Sequence, residues 1–318
     1  MKMVPVVELD LTDAAERIDR ACRDVGFFAV PLPSELRHAR RRLLALAAEF
    51  FALPEEEKAA VAMPLAGAAW RGWFPLGGEL TSGVPDRKEG YYFGVELPPE
   101  PADGARPMHG PNLWPGRPSD LRNAVTEWMT AMEQLGQRIL GLMALGLGRE
   151  ADFFARGLTA APTSLFRIFR YPPHPDGDMA TWGVGEHTDY GLLTLLATDG
   201  TPGLEVNVQG EWLDAPADAD LVICNLGDML DRLTGGRYRS TPHRARNHAG
   251  HDRYSLPFFL DPGWDAVVEP LTFDDGWTAS AHTHARWDRA NLTEVSGTYG
   301  DWLGAKVRKV FPDLPAPS

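Results

Sequence analysis

From Leu121 the apolar positions advance by alternating steps of four and three through Val125, Trp128, Met132, Leu135, Ile139 and Leu142. That spacing predicts one long helix with a continuous apolar stripe. A coiled coil would use the same spacing, but Gly136, Gly141 and Gly146 interrupt it, so a helix backing a sheet is the better reading. Beyond Gly148 the period shortens. Strand-like runs at 164–171, 192–198, 204–208, 221–226, 239–247 and 253–260 alternate with turn signals. Such regular short strands predict a double-sheet sandwich or jelly roll.

Before the long helix the pattern is mixed. Residues 4–9 (VPVVEL) read as a first strand, and 27–30 as a second. Between them Asp13 and Glu16 have the spacing of a capping box, Ile18, Ala21, Cys22 and Val25 follow helical periodicity, and Gly26 suits the helix end. A further helix is expected from Ser34 to Phe51, with Arg37, Arg40, Arg41 and Arg42 as a solvated face, and another after Pro54. Residues 63–118 are rich in Gly and Pro, with a strand expected at 91–97, and residues 287–311 turn helical again. No repeat or linker divides the chain. The expectation is a mixed α and β fold with a double-stranded β-helix (jelly-roll) core flanked by helices, in one domain spanning 1–318. Within it, 1–118 would be a helical and loop region, 119–262 the backing helix and core, and 263–318 a helical tail.

Composition narrows the partners. A net charge of −13 repels phosphate backbones, so nucleic acid is excluded as a partner. No stretch reaches the roughly 18 to 20 apolar residues that a membrane span needs. The first ten residues lack the basic start and apolar run of a secretory signal, which leaves the cytoplasm as the expected location. Cys22 and Cys224 read as small buried hydrophobes rather than a disulfide or a zinc pair. A monomer acting on a small molecule is expected.

The sharpest chemical signal is His187-Thr188-Asp189. On a strand, positions 187 and 189 share a face, setting an imidazole beside a carboxylate. His243, on another predicted strand, is the best third ligand. Two histidines and one carboxylate leave open positions on a metal, as Fe(II) oxygenases require. An isolated H-x-D is common by chance, so its surroundings carry the case. Arg253 and Ser255 share a strand face within an apolar run. A guanidinium buried there needs an anion, supplied either by an internal Asp or Glu or by a carboxylate ligand. Asn225 and Asp228 read as turn residues that orient ligands. Arg71 could anchor an acidic substrate or pair locally. Trp73, Trp182 and Phe259 could line a substrate pocket or pack in the core. His38, His109, His174, His248, His251, His282 and His284 fit no ligand position.

Along nearly its whole length the chain resembles the isopenicillin N synthase-like group of 2-oxoglutarate/Fe(II) dioxygenases. The resemblance runs through VPVVELD (4–10), ACRDVGFF (21–28), FFALPEEEK (50–58), RGW (71–73) and DRKEGYYF (86–93). It continues in RYPP (170–173), HTD (187–189), NLGD (225–228), YRSTPHR (238–244), RYS (253–255) and TYGDWLGAKVRKVFP (298–312). The resemblance implies that His187, Asp189 and His243 bind Fe(II). It implies that Arg253 and Ser255 hold the distal carboxylate of 2-oxoglutarate, with Tyr171 assisting from the opposite strand. Many relatives carry Asn where this chain has Phe169, so one polar contact to the cosubstrate differs. The implied reaction couples O₂-driven decarboxylation of 2-oxoglutarate to hydroxylation, desaturation or ring closure of a small molecule. Three other readings remain at this stage: an Fe(II) oxidase of the same group that does not use 2-oxoglutarate, a β-sandwich binding protein without catalysis, and a cupin-like isomerase or zinc hydrolase, which would not explain Arg253 with Ser255.

Overall fold

The computed structural model describes residues 3–81, 83–99, 106–174, 181–277 and 291–311. Its core is two antiparallel sheets facing each other. The elements of the larger sheet are β1 (Phe27–Pro31), β2 (Gly72–Phe74), β3 (Glu89–Gly94), β4 (Thr163–Tyr171), β6 (Leu193–Thr198), β9 (Leu221–Leu226) and β11 (Arg253–Asp261). They run in the order β1-β9-β6-β11-β4-β3-β2. The smaller sheet joins β5 (Val184–His187), β10 (His243–Ala245), β7 (Leu204–Val208) and β8 (Glu211–Asp214) in the order β5-β10-β7-β8. This is the expected jelly roll.

Side-chain parity explains why the large sheet holds both a core and a cavity. On β11 the even positions Leu256, Phe258 and Leu260 are fully buried under a helical layer, while the odd positions Arg253, Ser255, Pro257, Phe259 and Asp261 line a cavity between the sheets. Strand β4 repeats the division: Phe166 and Ile168 face the helices, and Leu165, Arg167, Phe169 and Tyr171 face the cavity. A sheet covered on both faces reads in sequence as a near-continuous apolar run, broken only where the inner face carries function.

The helical layer is α1 (Ala14–Asp24), α2 (Leu36–Phe51) and α4 (Leu121–Gly146). Helix α4 buries the predicted stripe: Leu121, Val125, Trp128, Met132 and Ile139 have no exposed surface, while Leu142 at the end is half-buried. The glycine at 136 is explained by contact with the sheet, since a Cβ there would lie 2.7 Å from Leu260 Cδ2 and 3.3 Å from Leu195 Cδ1. Short α3 (Glu55–Ala59) and α5 (Phe153–Arg156) connect elements, and α6 (Asp228–Leu233) follows β9. Helix α7 (Tyr299–Val310) roofs the cavity with Leu303, Val307 and Val310. Tyr299 Oη donates to Asp261 Oδ2 at 2.5 Å and Trp302 Nε1 donates to the Tyr190 carbonyl at 3.2 Å, tying the roof down.

Several sequence expectations are corrected. Residues 4–9 form no strand; only a parallel bridge links Val6 to Ala29. Asp13 does not close a capping box, because its carboxylate accepts from Arg17 Nε at 2.8 Å. A capping box forms instead at α7, between Thr298 and Asp301. Gly26 ends α1 in the left-handed region (φ 73°) as expected. Arg40 is not on the solvated face; it is buried, with Nη1 3.6 Å from Asp220. The strands β2 and β8 were too short to read, and β10 covers only the middle of the run predicted at 239–247. The helical run predicted from 287 begins outside the described residues; within them a 3-10 turn at Leu292–Glu294 precedes α7. Cys22 and Cys224 are both buried and unpaired. Among the described residues no helix is long and apolar enough to cross a membrane.

If α4 depends on its close approach at Gly136, Gly136→Val should destabilise the fold by about 1–3 kcal/mol through overpacking. The urea midpoint reads this, and an unchanged midpoint would mean that the helix–sheet contact is slack.

Candidate active site

Strand β5 pairs with β10 so that His187 and His243 stand directly opposite, their ring centroids 4.2 Å apart. Asp189 Oδ1 lies 3.8 Å from His187 Nε2 and 3.8 Å from His243 Nε2. These three side chains offer ligand atoms all within 4.8 Å of one another, and no other such group occurs among the described residues. The assumption that 187 and 189 share one strand face is corrected: β5 ends at His187, and Asp189 lies beyond it in a loop. What aims the carboxylate is hydrogen bonding. Asn225 Nδ2 donates to Asp189 Oδ2 at 2.7 Å and Thr194 Oγ1 donates to the same oxygen, leaving Oδ1 for the histidines' side.

Each imidazole is likewise oriented. His187 Nδ1 lies 2.8 Å from the Gly185 carbonyl, and His243 Nδ1 lies 3.1 Å from the Thr241 carbonyl. A ring whose Nδ1–H points at a carbonyl presents a bare Nε2, the tautomer that binds metal. Burial, reinforced by neighbouring His243, pushes the His187 pKa down to about 3, so this ring is neutral at ordinary pH. Burial alone would raise the Asp189 carboxyl, but His243, His187 and the bonds from Asn225 and Thr194 outweigh it and hold it below the usual carboxylate range. Neutral His187 beside an ionised carboxylate has the protonation that a divalent cation requires.

The same cavity continues to Arg253, which is buried to 1% exposure. Its Nε donates to the Thr201 carbonyl at 3.2 Å, and its guanidinium carbon lies 4.9 Å from the Tyr171 ring. Its Nη1 is buried with no hydrogen-bond partner. Ser255 Oγ donates to Tyr171 Oη at 3.3 Å, and strand pairing sets Arg253 opposite Tyr171 and Ser255 opposite Phe169. A buried guanidinium nitrogen without an acceptor costs free energy that a carboxylate ligand would recover. Among the described residues no Asp or Glu forms an ion pair with it.

Three of the four residues considered for the substrate are not brought to this cavity. The Arg71 guanidinium is spent on the carbonyls of Ala69, Val95 and Met108 and on Asn112 Oδ1. Trp73 Nε1 donates to Glu89, bracing a buried ion cluster with Lys58 and Arg170. Trp182 stacks on Arg244 and Arg246 on the outer side of β10, since Arg244 alternates with the inward-facing His243 and Ala245. Phe259 does line the cavity. Sequence reasoning missed Glu79, Lys88 and Arg167, which also line it. Arg167 was within reach, because it shares strand parity with Tyr171.

A jelly roll whose cavity gathers two histidines, a carboxylate and a buried arginine with an acceptor-less Nη1 has the architecture of a mononuclear non-haem metal oxygenase. Residues 162–262 match the 2OG-Fe(II) oxygenase superfamily, and residues 4–117 match the N-terminal region described for non-haem dioxygenase in morphine synthesis. A Dictyostelium discoideum protein described as an iron/ascorbate oxidoreductase is 38% identical, over 94% of this chain and 89% of its own length. A homoarginine-6-hydroxylase of Oryza sativa subsp. japonica is 36% identical, over 83% of this chain and 82% of its own. The crystal structure of a 2OG-Fe(II) oxygenase family protein from Caulobacter crescentus superposes with a TM-score of 0.78 at 28% identity, covering 97% of this chain and 99% of that one. The chain therefore belongs to the 2OG-Fe(II) oxygenase superfamily, and it is an Fe(II)- and 2-oxoglutarate-dependent dioxygenase.

Asn225→Ala should lower Fe(II) affinity about 10- to 100-fold by releasing Asp189 Oδ2, as read by competition with a chelating dye. Affinity within twofold of wild type would remove Asn225 from the site. Asp261 supplies a pH test. Burial pushes its carboxyl up to about 7, whereas an unfolded Asp titrates near ~3.9. Between these values the native state keeps a proton that the unfolded chain has lost, so stability falls as pH rises through this window. Asp261→Asn should therefore gain on wild type between pH 5 and pH 8 in urea midpoint. A constant gap would contradict the assignment.

Proposed function

We propose that His187, Asp189 and His243 hold Fe(II), and that Arg253, Ser255 and Tyr171 hold 2-oxoglutarate, in an enzyme that hydroxylates a small organic molecule. The observation that carries this reading is the buried, acceptor-less Nη1 of Arg253 in one cavity with the three-donor cluster. The donor set suits Fe(II) with positions left open. Bound there, iron with 2-oxoglutarate would supply the oxidising power, drawing it from O₂ with release of succinate and CO₂.

The chain's residues do the rest. Asn225 and Thr194 fix Asp189, and the Gly185 and Thr241 carbonyls fix the two imidazoles. Arg253 would grip the far carboxylate of the cosubstrate with Ser255 and Tyr171 beside it. Phe169, in the register position opposite Ser255, puts an apolar ring where many relatives offer an amide, so orientation of the cosubstrate falls more heavily on Arg253. Leu303, Val307, Val310 and Phe259 give an apolar wall that excludes water from the reacting centre. The hydroxylase among the relatives supports hydroxylation as the outcome. The reading extends to bacterial secondary or amino-acid-derived metabolism in the cytoplasm, with which two buried, unpaired cysteines agree.

Adding Fe(II) and 2-oxoglutarate to the apo protein without oxygen should produce the visible band of the chelate. His187→Ala should abolish it. Arg253→Ala should raise the 2-oxoglutarate Kd about 10- to 100-fold while leaving Fe(II) affinity near wild type. With oxygen and a substrate, succinate should appear in step with product; product without succinate would overturn the cosubstrate assignment.

A further inference from the structure

The charges inside the cavity balance in number, three cations against three carboxylates, but their contacts do not. Six Arg, Lys, Asp and Glu side chains line it, namely Arg253, Arg167, Lys88, Asp189, Glu79 and Asp261, and five of them have identified work. Arg253 faces the proposed cosubstrate and Asp189 the proposed metal. Lys88 Nζ is held by Glu79 at 2.7 Å and by Asp86 at 2.5 Å. Glu79 also accepts from Tyr92 Oη at 2.6 Å. Asp261 accepts from Tyr299 Oη and from the Leu192 amide at 3.2 Å.

Arg167 is left over. Among the described residues its guanidinium donates no hydrogen bond. Its nearest carboxylate oxygen, Glu79 Oε1, is 3.8 Å away and already committed to Tyr92. Aromatic rings support it, with Tyr92 at 4.1 Å and Phe259 at 4.8 Å from the guanidinium carbon. The side chain keeps 17% of its surface open. A planar fork with five donors, stacked on rings and open at a cavity wall, is a receptor for a carboxylate. Position matters as much as charge. Arg167 lies four residues from Tyr171 on the same face of β4, roughly 13 Å along the strand at about 3.3 Å per residue. The two arginines therefore stand at different points along the cavity and need not compete for one anion. The roof near them is apolar, built by Leu303, Val307 and Val310.

We propose that Arg167 binds the carboxylate of the primary substrate, which is thus an organic acid with an apolar body. This rests on the reading of the cavity as the site of oxidation. The anion supplies the hydrogen-bond acceptor that the Arg167 guanidinium lacks, and the α7 side chains cover the hydrocarbon part. Binding by this end fixes which carbon is presented to the metal side, so Arg167 is a specificity-determining residue as well as an anchor.

The test is anaerobic calorimetry on the Fe(II)- and 2-oxoglutarate-loaded protein. The probes are straight-chain monocarboxylates from butyrate to decanoate and phenylacetate, each compared with its primary amide. The wild type should bind at least one acid about tenfold or more tightly than its amide, since a charge-assisted pair replaces a neutral one. Arg167→Gln should reduce that preference to within about twofold, and Arg167→Lys should retain part of it. The visible chelate band reports folding and loading of each variant. Because the acid–amide comparison is made on the wild type, misfolding of a variant does not remove the test. With the band intact, equal affinity for acid and amide, no binding of any acid, or a preference that survives Arg167→Gln overturns the inference while leaving the oxygenase reading in place. Absence of the band from the wild type overturns that reading and this inference with it.

Discussion

Burial on both faces of the seven-stranded sheet forces every ion in the cavity to find its partner inside. The helical layer takes the even positions of β4 and β11, so their odd positions cannot reach bulk water by turning over. A charge held in such a place is costly unless paired. The sheet therefore works as a charge ledger. Lys88 is balanced by Glu79 and Asp86, and Asp189 is held by amide and hydroxyl donors with two imidazoles beside it. Two guanidinium groups, those of Arg253 and Arg167, keep donors without a close acceptor among the described residues.

Legibility in the sequence followed the reach of periodicity. Strand parity correctly grouped Arg253 with Ser255, because β11 is long and regular. The long helix was equally plain, and the glycine that argued against a coiled coil turned out to be where α4 meets Leu260. Asp189 was grouped with His187 for the wrong reason: the strand stops, and two hydrogen bonds from β6 and β9 aim the carboxylate instead. Those bonds join residues 5 and 36 positions away, and no local pattern encodes them. The pairing of His243 with His187 came from residue type and from the family resemblance, since nothing in the spacing specifies that β10 lies beside β5.

Arg71, Trp73 and Trp182 illustrate the opposite limit. A buried arginine or tryptophan near a motif has many uses, and three-dimensional placement selects among them. Arg71 stitches loop carbonyls together, Trp73 braces an ion cluster, and Trp182 stacks on arginines across the smaller sheet. Only one position separates the outward Arg244 from the inward His243, so a one-residue error in β10 would exchange a ligand for a stacking cation.

Helix α7 belongs to neither sheet, yet it forms much of the ceiling over the reacting space. It is fastened through Tyr299 and Trp302, and it supplies none of the donor atoms around Asp189. Its cavity-facing Leu303, Val307 and Val310 stand apart from the side chains that hold Asp189 in place. A lineage could inherit the oxidising centre unchanged and acquire a new diet by mutating one short stretch near the end of the fold.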